Sequence, residues 1–188
     1  MPSQGRFEFK AVTPTNLDDL EAFSVAHGKF RYCSCMRWRL TSTEYKRSTK
    51  EQRVAELRRR VRSEIPVGLL AYADGVPVGW CSVAPRETYA ALERFRALAR
   101  IDDTPVWSVV CFYIDRDFRR EGLTSGLLGA ATDYARSRGA RAVEGYPVEP
   151  GPRLYTYMGA PDAFARAGYK DVTPLGRDRL VVRRRFRA

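Results

Sequence analysis

A chain of 188 residues, 44% hydrophobic and 12% aromatic, is long enough for one domain and apolar enough to bury a core, which excludes a disordered polymer. No apolar run reaches bilayer length and no apolar signal core opens the chain, so a soluble, cytoplasmic protein is expected. The net charge of +11 attracts anions, whether nucleic acid, anionic lipid or a polyphosphate, without choosing among them.

Phe7 to Val12 reads as a first strand. Thr15 or Asn16 is placed to cap a helix carrying Leu17, Leu20 and Phe23 on one face. The stretch FRYCSCMRWRL that follows is irregular and rich in aromatics and cysteines. Ser48 and Glu51 have capping-box spacing, and the helix they open turns Val54, Leu57 and Val61 inward and Arg58, Arg59, Arg60 and Arg62 to solvent. Val67 to Ala73 and Val76 to Val83 read as strands joined at Asp74-Gly75, a tight-hairpin signal. Residues 84–104 form a long connection with a short helix around Tyr89 to Leu98, a length that often marks a functional loop.

Val106 to Ile114 is the strongest strand. Strict alternation puts Trp107, Val109, Cys111 and Tyr113 on one face and Val110, Phe112 and Ile114 on the other, apolar on both sides as in a central, covered strand. Leu123, Leu127, Leu128, Ala131 and Tyr134 then recur at helical spacing up to Gly139. Ala142 to Val148 is a further strand, Asp162 to Ala167 a short helix stopped by Gly168, and Asp178 to Phe186 the last strand. The result is one mixed α/β (α+β) domain over residues 1–188, with a largely antiparallel sheet of six to seven strands and about four helices.

Four cysteines, Cys33, Cys35, Cys81 and Cys111, lack paired zinc spacing, so no metal is expected and they read as buried small hydrophobes. The segment between the central strand and the next helix carries more information. A helix N-terminus presents unpartnered N–H groups and positive potential. Gly122 allows close backbone approach, Arg119 and Arg120 add forked cationic donors, and Thr124 and Ser125 add hydroxyls. Such a segment is suited to phosphate, yet it is neither a Gly-x-Gly-x-x-Gly turn nor a P-loop.

Arg119-Arg120-Glu121-Gly122-Leu123-Thr124 resembles the acetyl-CoA loop of the GNAT N-acetyltransferase superfamily, Gln/Arg-x-x-Gly-x-Gly/Ala, with Thr124 departing from the small last residue. The element order is similar as well. The stretches CSCMRW, GWCSVAPRE, PVWSVVCFYI and VEGYPV resemble a bacterial subgroup of that superfamily over roughly residues 30–186. The resemblance implies acetyl-CoA as acyl donor and direct attack by an amine, of a small molecule or a protein, without an acyl-enzyme. It implies that Phe112, Tyr113 and Ile114 run beside the pantetheine arm and that Arg119 to Ser125, Glu121 and Leu123 included, wrap the pyrophosphate. A homodimer stays open.

The resemblance also exposes two departures. Ser108 stands where many members carry a Glu base on the central strand, and Phe164, beside the cofactor, where many carry a Tyr acid. Glu144, mid-strand in ARAVEGYPV, is the candidate replacement base, because carboxylates are disfavoured there unless paired or used; Glu144→Gln is then expected to lower turnover more than cofactor affinity. Tyr155 or Tyr157 is the candidate acid, with Tyr157 preferred. Cys35, Met36, Trp38, Trp80 and Tyr89 are expected around an acceptor pocket, and Glu87, Asp102 and Asp103 either near a cationic substrate or in solvent. His27 reads as structural. Two other readings compete: a catalytically degenerate acyl-CoA-binding fold, and a nucleic-acid-binding module using the basic helix and the RRRFR tail.

Overall fold

The computed structural model describes residues 6–27, 33, 35–151 and 155–186; residues 30–32 and 34 of the aromatic stretch and Arg187 of the tail lie outside them. Seven strands form one sheet in the order β1-β2-β3-β4-β5-β7-β6. They are β1 (Glu8–Ala11), β2 (Leu69–Ala73), β3 (Val76–Pro85), β4 (Trp107–Ile114), β5 (Ala142–Gly145), β6 (Lys170–Asp171) and β7 (Val182–Arg185). Every pairing is antiparallel except β4 with β5. The described α-helices are α1 (Leu17–Ala26), α2 (Ser42–Arg47), α3 (Lys50–Arg62), α4 (Ala90–Glu93), α5 (Leu123–Ser137) and α6 (Pro161–Arg166). None of them is long and apolar enough to cross a membrane.

The helix starts differ in detail from the sequence expectation. Asn16 caps nothing with its side chain, which turns back to take the Thr13 N–H and to donate to the Ala11 carbonyl. The capping box of α3 is Thr49 with Gln52, one residue after the expected Ser48–Glu51 pair. A second box, Thr41 with Glu44, opens the unanticipated α2. Both boxes satisfy the same orphan N–H groups, and Ser and Thr at adjacent positions compete for the one cap. The β2–β3 hairpin turns at Asp74 and Gly75, both at positive φ, as the Asp-Gly pair required.

Two layers cover the sheet. On one face α5 packs Leu123, Leu127, Leu128 and Ala131 against Val83, Val109, Phe112 and Val143. On the other, Leu20 and Phe23 of α1 and Leu57 and Val61 of α3 pack against Leu70, Tyr72 and Trp80. A third apolar cluster on that side gathers Trp38, Tyr89, Leu98, Val110, Tyr146 and Met158.

The strict alternation expected in β4 does not hold. Cys111 pairs with Ser82 but Val109 pairs with Val83, so Val110 is an extra residue, a β-bulge. Beyond the bulge the faces exchange. Trp107, Val109, Phe112 and Ile114 lie on the α5 side, while Val110, Cys111 and Tyr113 belong to the opposite side. The bulge coincides with the last β4–β5 pair, Val109 with Gly145. Past it β4 runs on to Ile114 without β5 beside it, and the sheet opens into a cleft.

Candidate active site

Two cavities flank the open end of β4 and share Phe112, Thr156 and Tyr157. The first, 550 Å³, lies over the start of α5. Arg119, Arg120, Gly122, Leu123, Thr124 and Ser125 all line it, with Ile114 at its side. Arg120 at φ 68° and Gly122 at φ 78° both take left-handed backbone, which bends the loop so that it wraps the helix start. Gly122 is the N-cap and no side chain caps the helix, so the N–H groups of its first turn remain open to a ligand. Arg166, one helical turn after Ala163 on α6, supplies a third guanidinium that the sequence reading missed. No local sequence feature separates it from the other surface arginines; only the packing of α6 beside α5 brings it to the cavity.

Three guanidinium groups, the hydroxyls of Thr124, Ser125, Thr156 and Tyr157, an uncapped helix start and no lining carboxylate among the described residues suit this cavity to a polyanion. Glu121 does not join it; its carboxylate pairs with Arg6 at 2.5 Å. Phe164 does not line it either. The ring is fully buried, edge-on to Phe112 at 6.2 Å and to Tyr169 at 5.1 Å. It lies against Gly145, where a Cβ would collide with it, and forms the floor behind the site.

The second cavity, 470 Å³, is on the opposite side of β4. Cys35 and Trp38 line it, joined by Cys33, Arg37, Tyr45 and Cys111. Tyr113, expected beside the pantetheine arm, lines this cavity instead of the one over α5, because the bulge turns its side chain to this face. Trp80 is instead wholly buried in the core under α1 and α3, because its strand position faces that layer. Glu87 is exposed on a turn of 3-10 helix and lines neither cavity. Burial pushes the Cys33, Cys35 and Cys111 thiols up, so they stay neutral and are not activated as nucleophiles. Burial likewise raises the Tyr157 phenol, which stays protonated where the two cavities meet.

Glu144 is occupied elsewhere. It is 2% exposed, and its Oε1 accepts from Arg183 Nε at 2.9 Å and Nη2 at 2.6 Å. Its Oε2 accepts from the Tyr146 hydroxyl at 2.9 Å and from Arg86 Nη1 at 3.3 Å. Arg86 continues to Glu93 at 2.6 Å and Arg183 to Asp102 at 2.7 Å. The Ser108 hydroxyl meets the Tyr146 hydroxyl at 2.7 Å. Glu144 lines neither cavity, and its acceptor positions are filled, a poor arrangement for a base. His27 bonds the Phe23 carbonyl and Asp115, at 2.8 and 2.9 Å, and holds the end of α1.

The Arg183 hydrogen bond holds the Asp102 carboxyl well below the usual carboxylate range. A depressed folded-state value means that this stabilisation is present above the unfolded value, about pH 4, and is lost as pH falls towards the folded one. Urea midpoints are therefore expected to fall on acidification below about pH 4. Asp102→Asn should flatten that part of the profile; an unchanged slope would remove Asp102 from the account.

The comparisons agree with this geometry. The family model described as acetyltransferase (GNAT) family matches residues 32–159, more than half of the chain. PaiA N-acetyltransferase from Thermoplasma acidophilum, solved in complex with coenzyme A, is 15% identical with a TM-score of 0.54, covering 96% of this chain and 99% of that one. YncA, a putative acetyltransferase from Salmonella typhimurium solved with acetyl-CoA, is 14% identical with a TM-score of 0.55, covering 96% and 94%. Ribosomal-protein-alanine N-acetyltransferase from Brucella melitensis is 19% identical with a TM-score of 0.52, covering 95% and 99%. At these identities the structures establish the shared fold alone. Curated protein sequences give no match. With the family model spanning both the cleft and the uncapped start of α5, the chain belongs to the acetyltransferase (GNAT) family.

Proposed function

We propose that the protein is an acetyl-CoA-dependent N-acetyltransferase that transfers the acetyl group directly to a primary amine. The observation that carries this is the meeting of the two cavities at Phe112, Thr156 and Tyr157: a polyanion site on one side of β4 and an aromatic pocket on the other. Arg119, Arg120, Arg166 and the first turn of α5 hold the phosphates, and the open edge of β4 from Phe112 to Ile114 offers backbone groups to the pantetheine arm. Acetyl-CoA supplies an activated acetyl thioester.

The acceptor nitrogen enters from the aromatic pocket as the free amine and forms the C–N bond. The C–S bond breaks, the nitrogen gives up one proton to water and the sulfur takes one up. Holding both reactants across β4 supplies effective molarity, which is worth about 7–11 kcal/mol for ideal alignment. The Tyr157 hydroxyl donates a hydrogen bond to the sulfur as charge develops there. The neutral thiols of Cys33, Cys35 and Cys111 argue against an acyl-enzyme. Glu144 acts as an anchor for Arg86 and Arg183 rather than as the base.

The nucleic-acid reading loses its footing on α3. Arg58 pairs with Glu21, and Arg59 and Arg60 share Glu56, so two carboxylates offset part of the basic face.

A thermal-shift titration with acetyl-CoA tests the proposal, with dephospho-CoA and a short oligonucleotide alongside at two salt concentrations, followed by thiol release on an amine panel. Saturable stabilisation by acetyl-CoA that survives moderate salt, with turnover on an amine, is the expected result. Binding without turnover on any amine would leave a degenerate acyl-CoA-binding fold. Tyr157→Phe is expected to lower kcat about 10–100-fold with acetyl-CoA affinity kept, the scale of one hydrogen bond to a charged group. An unchanged kcat would remove Tyr157 from the mechanism.

A further inference from the structure

We infer that the acceptor is a free α-amino acid with an apolar or aromatic side chain, whose carboxylate is received by Arg37. This rests on the transferase reading above and names its second substrate.

The aromatic cavity has an uneven charge balance. Arg37 lines it, and no carboxylate does among the described residues. The Arg37 guanidinium lies over the rings of Trp38 at 5.5 Å and Tyr45 at 5.8 Å, which fix it without neutralising it. Arg37 has no acidic partner among the described residues, unlike Arg86 and Arg183.

Behind the wall Arg39 is 1% exposed. Its Nη2 donates only to neutral oxygens, those of Val67, Ser82 and Tyr89, at 2.5, 2.9 and 3.4 Å. Its Nε and Nη1 have no partner among the described residues. Ser82 lines the cavity, so this buried cation stands directly behind it. The Nε1 of Trp38, also a lining residue, is a third donor without a partner.

A buried cation without a counter-ion is costly unless an anion arrives to compensate it. The cavity therefore selects for an acceptor that brings a negative charge, and a carboxylate matches the guanidinium fork. Val110, Phe112, Tyr113 and the Cys35 and Cys111 thiols give the lining an apolar part that suits an apolar body. The same field disfavours an ammonium, so it favours the free amine and lessens the need for the carboxylate base that Ser108 replaces. Polyamines and other polycations are disfavoured twice, by charge and by the apolar lining. A protein N-terminus lacks the adjacent free carboxylate.

The test compares matched pairs that differ only in that group: L-phenylalanine with phenethylamine and L-leucine with isopentylamine, with spermidine as the cationic extreme. Binding is measured by calorimetry on protein saturated with coenzyme A, and rates by thiol release from acetyl-CoA. The amino acids are expected to bind at least about tenfold more tightly than their decarboxylated partners, the scale of a charge-assisted fork. Arg37→Gln should reduce that ratio to about two or less, and Arg37→Lys should restore part of it.

Equal or better binding of the decarboxylated amines or of spermidine would overturn the inference. So would failure of every panel member to bind, or an Arg37→Gln effect that weakens both members of each pair alike, the mark of a merely structural role. Acetyl-CoA titration separates the two layers. No acetyl-CoA binding sinks the transferase reading itself, whereas acetyl-CoA binding with no carboxylate preference sinks only the acceptor assignment.

Discussion

Gly122→Glu is expected to lower acetyl-CoA affinity by at least about 100-fold, since it sets a fixed carboxylate among groups that must receive phosphate and each lost hydrogen bond to a charged partner is worth about 1.5–3 kcal/mol. Sterics alone do not produce this loss, because a Cβ at Gly122 meets nothing within 4 Å. Backbone strain contributes separately: φ is 78°, and a non-glycine residue there costs about 1–2 kcal/mol. Gly122→Ala isolates that cost. It should lower thermal stability modestly while retaining acetyl-CoA binding within about tenfold, because it adds strain but no charge. The charge effect should also be the more salt-sensitive of the two. Calorimetric titration of wild type and both variants, with melting curves at saturating ligand, separates the causes; wild type at about 100 times its dissociation constant gains roughly 2.7 kcal/mol. Undiminished affinity in Gly122→Glu would remove the phosphate-loop assignment and return the arginines around it to ordinary surface charge.

The loop at the start of α5, which we propose holds phosphate, was legible as a structural element in the sequence because its determinants are local. Positive-φ glycine, adjacent arginines, hydroxyls and the apolar period of α5 all fall within one short window, where backbone geometry follows from residue type. The two faces of β4 were not legible past Val110. A bulge costs no distinctive residue, and one inserted position exchanges every side chain beyond it, which puts Cys111 and Tyr113 in the aromatic cavity and Ile114 in the cavity over the start of α5, with Phe112 between the two. Trp80 failed for a different reason: an aromatic in an apolar strand has no sequence mark that separates pocket wall from core. The aromatic cavity was half legible, since Cys35 and Trp38 line it, as do Arg37 and Tyr45, which carry no local mark of it. Charge is visible in a sequence, but the lack of a carboxylate to neutralise it is a property of the assembled cavity.

Glu144 was singled out for the right physical reason, a carboxylate in mid-strand needing a purpose, but the local sequence could not say which. Its partners lie 58 and 39 positions away, at Arg86 and Arg183. Glu144→Gln keeps the shape of the side chain and removes the charge that both guanidinium groups share. Arg86 and Arg183 are 1% and 3% exposed, so water cannot replace it, although Glu93 and Asp102 each retain one contact. Breaking a buried pair in this way costs about 3–5 kcal/mol, and the remaining acids place the expectation at the lower end, about 3 kcal/mol. For a chain of this size that is roughly 6–12 °C in melting temperature. Acetyl-CoA affinity and the turnover of folded enzyme should stay within about threefold, because the residue lines neither cavity. If Glu144→Gln instead melted like wild type and lost turnover steeply, with the alkaline rise of the pH–rate profile displaced, the carboxylate would be the base after all. The network around it would then have to open during each catalytic cycle.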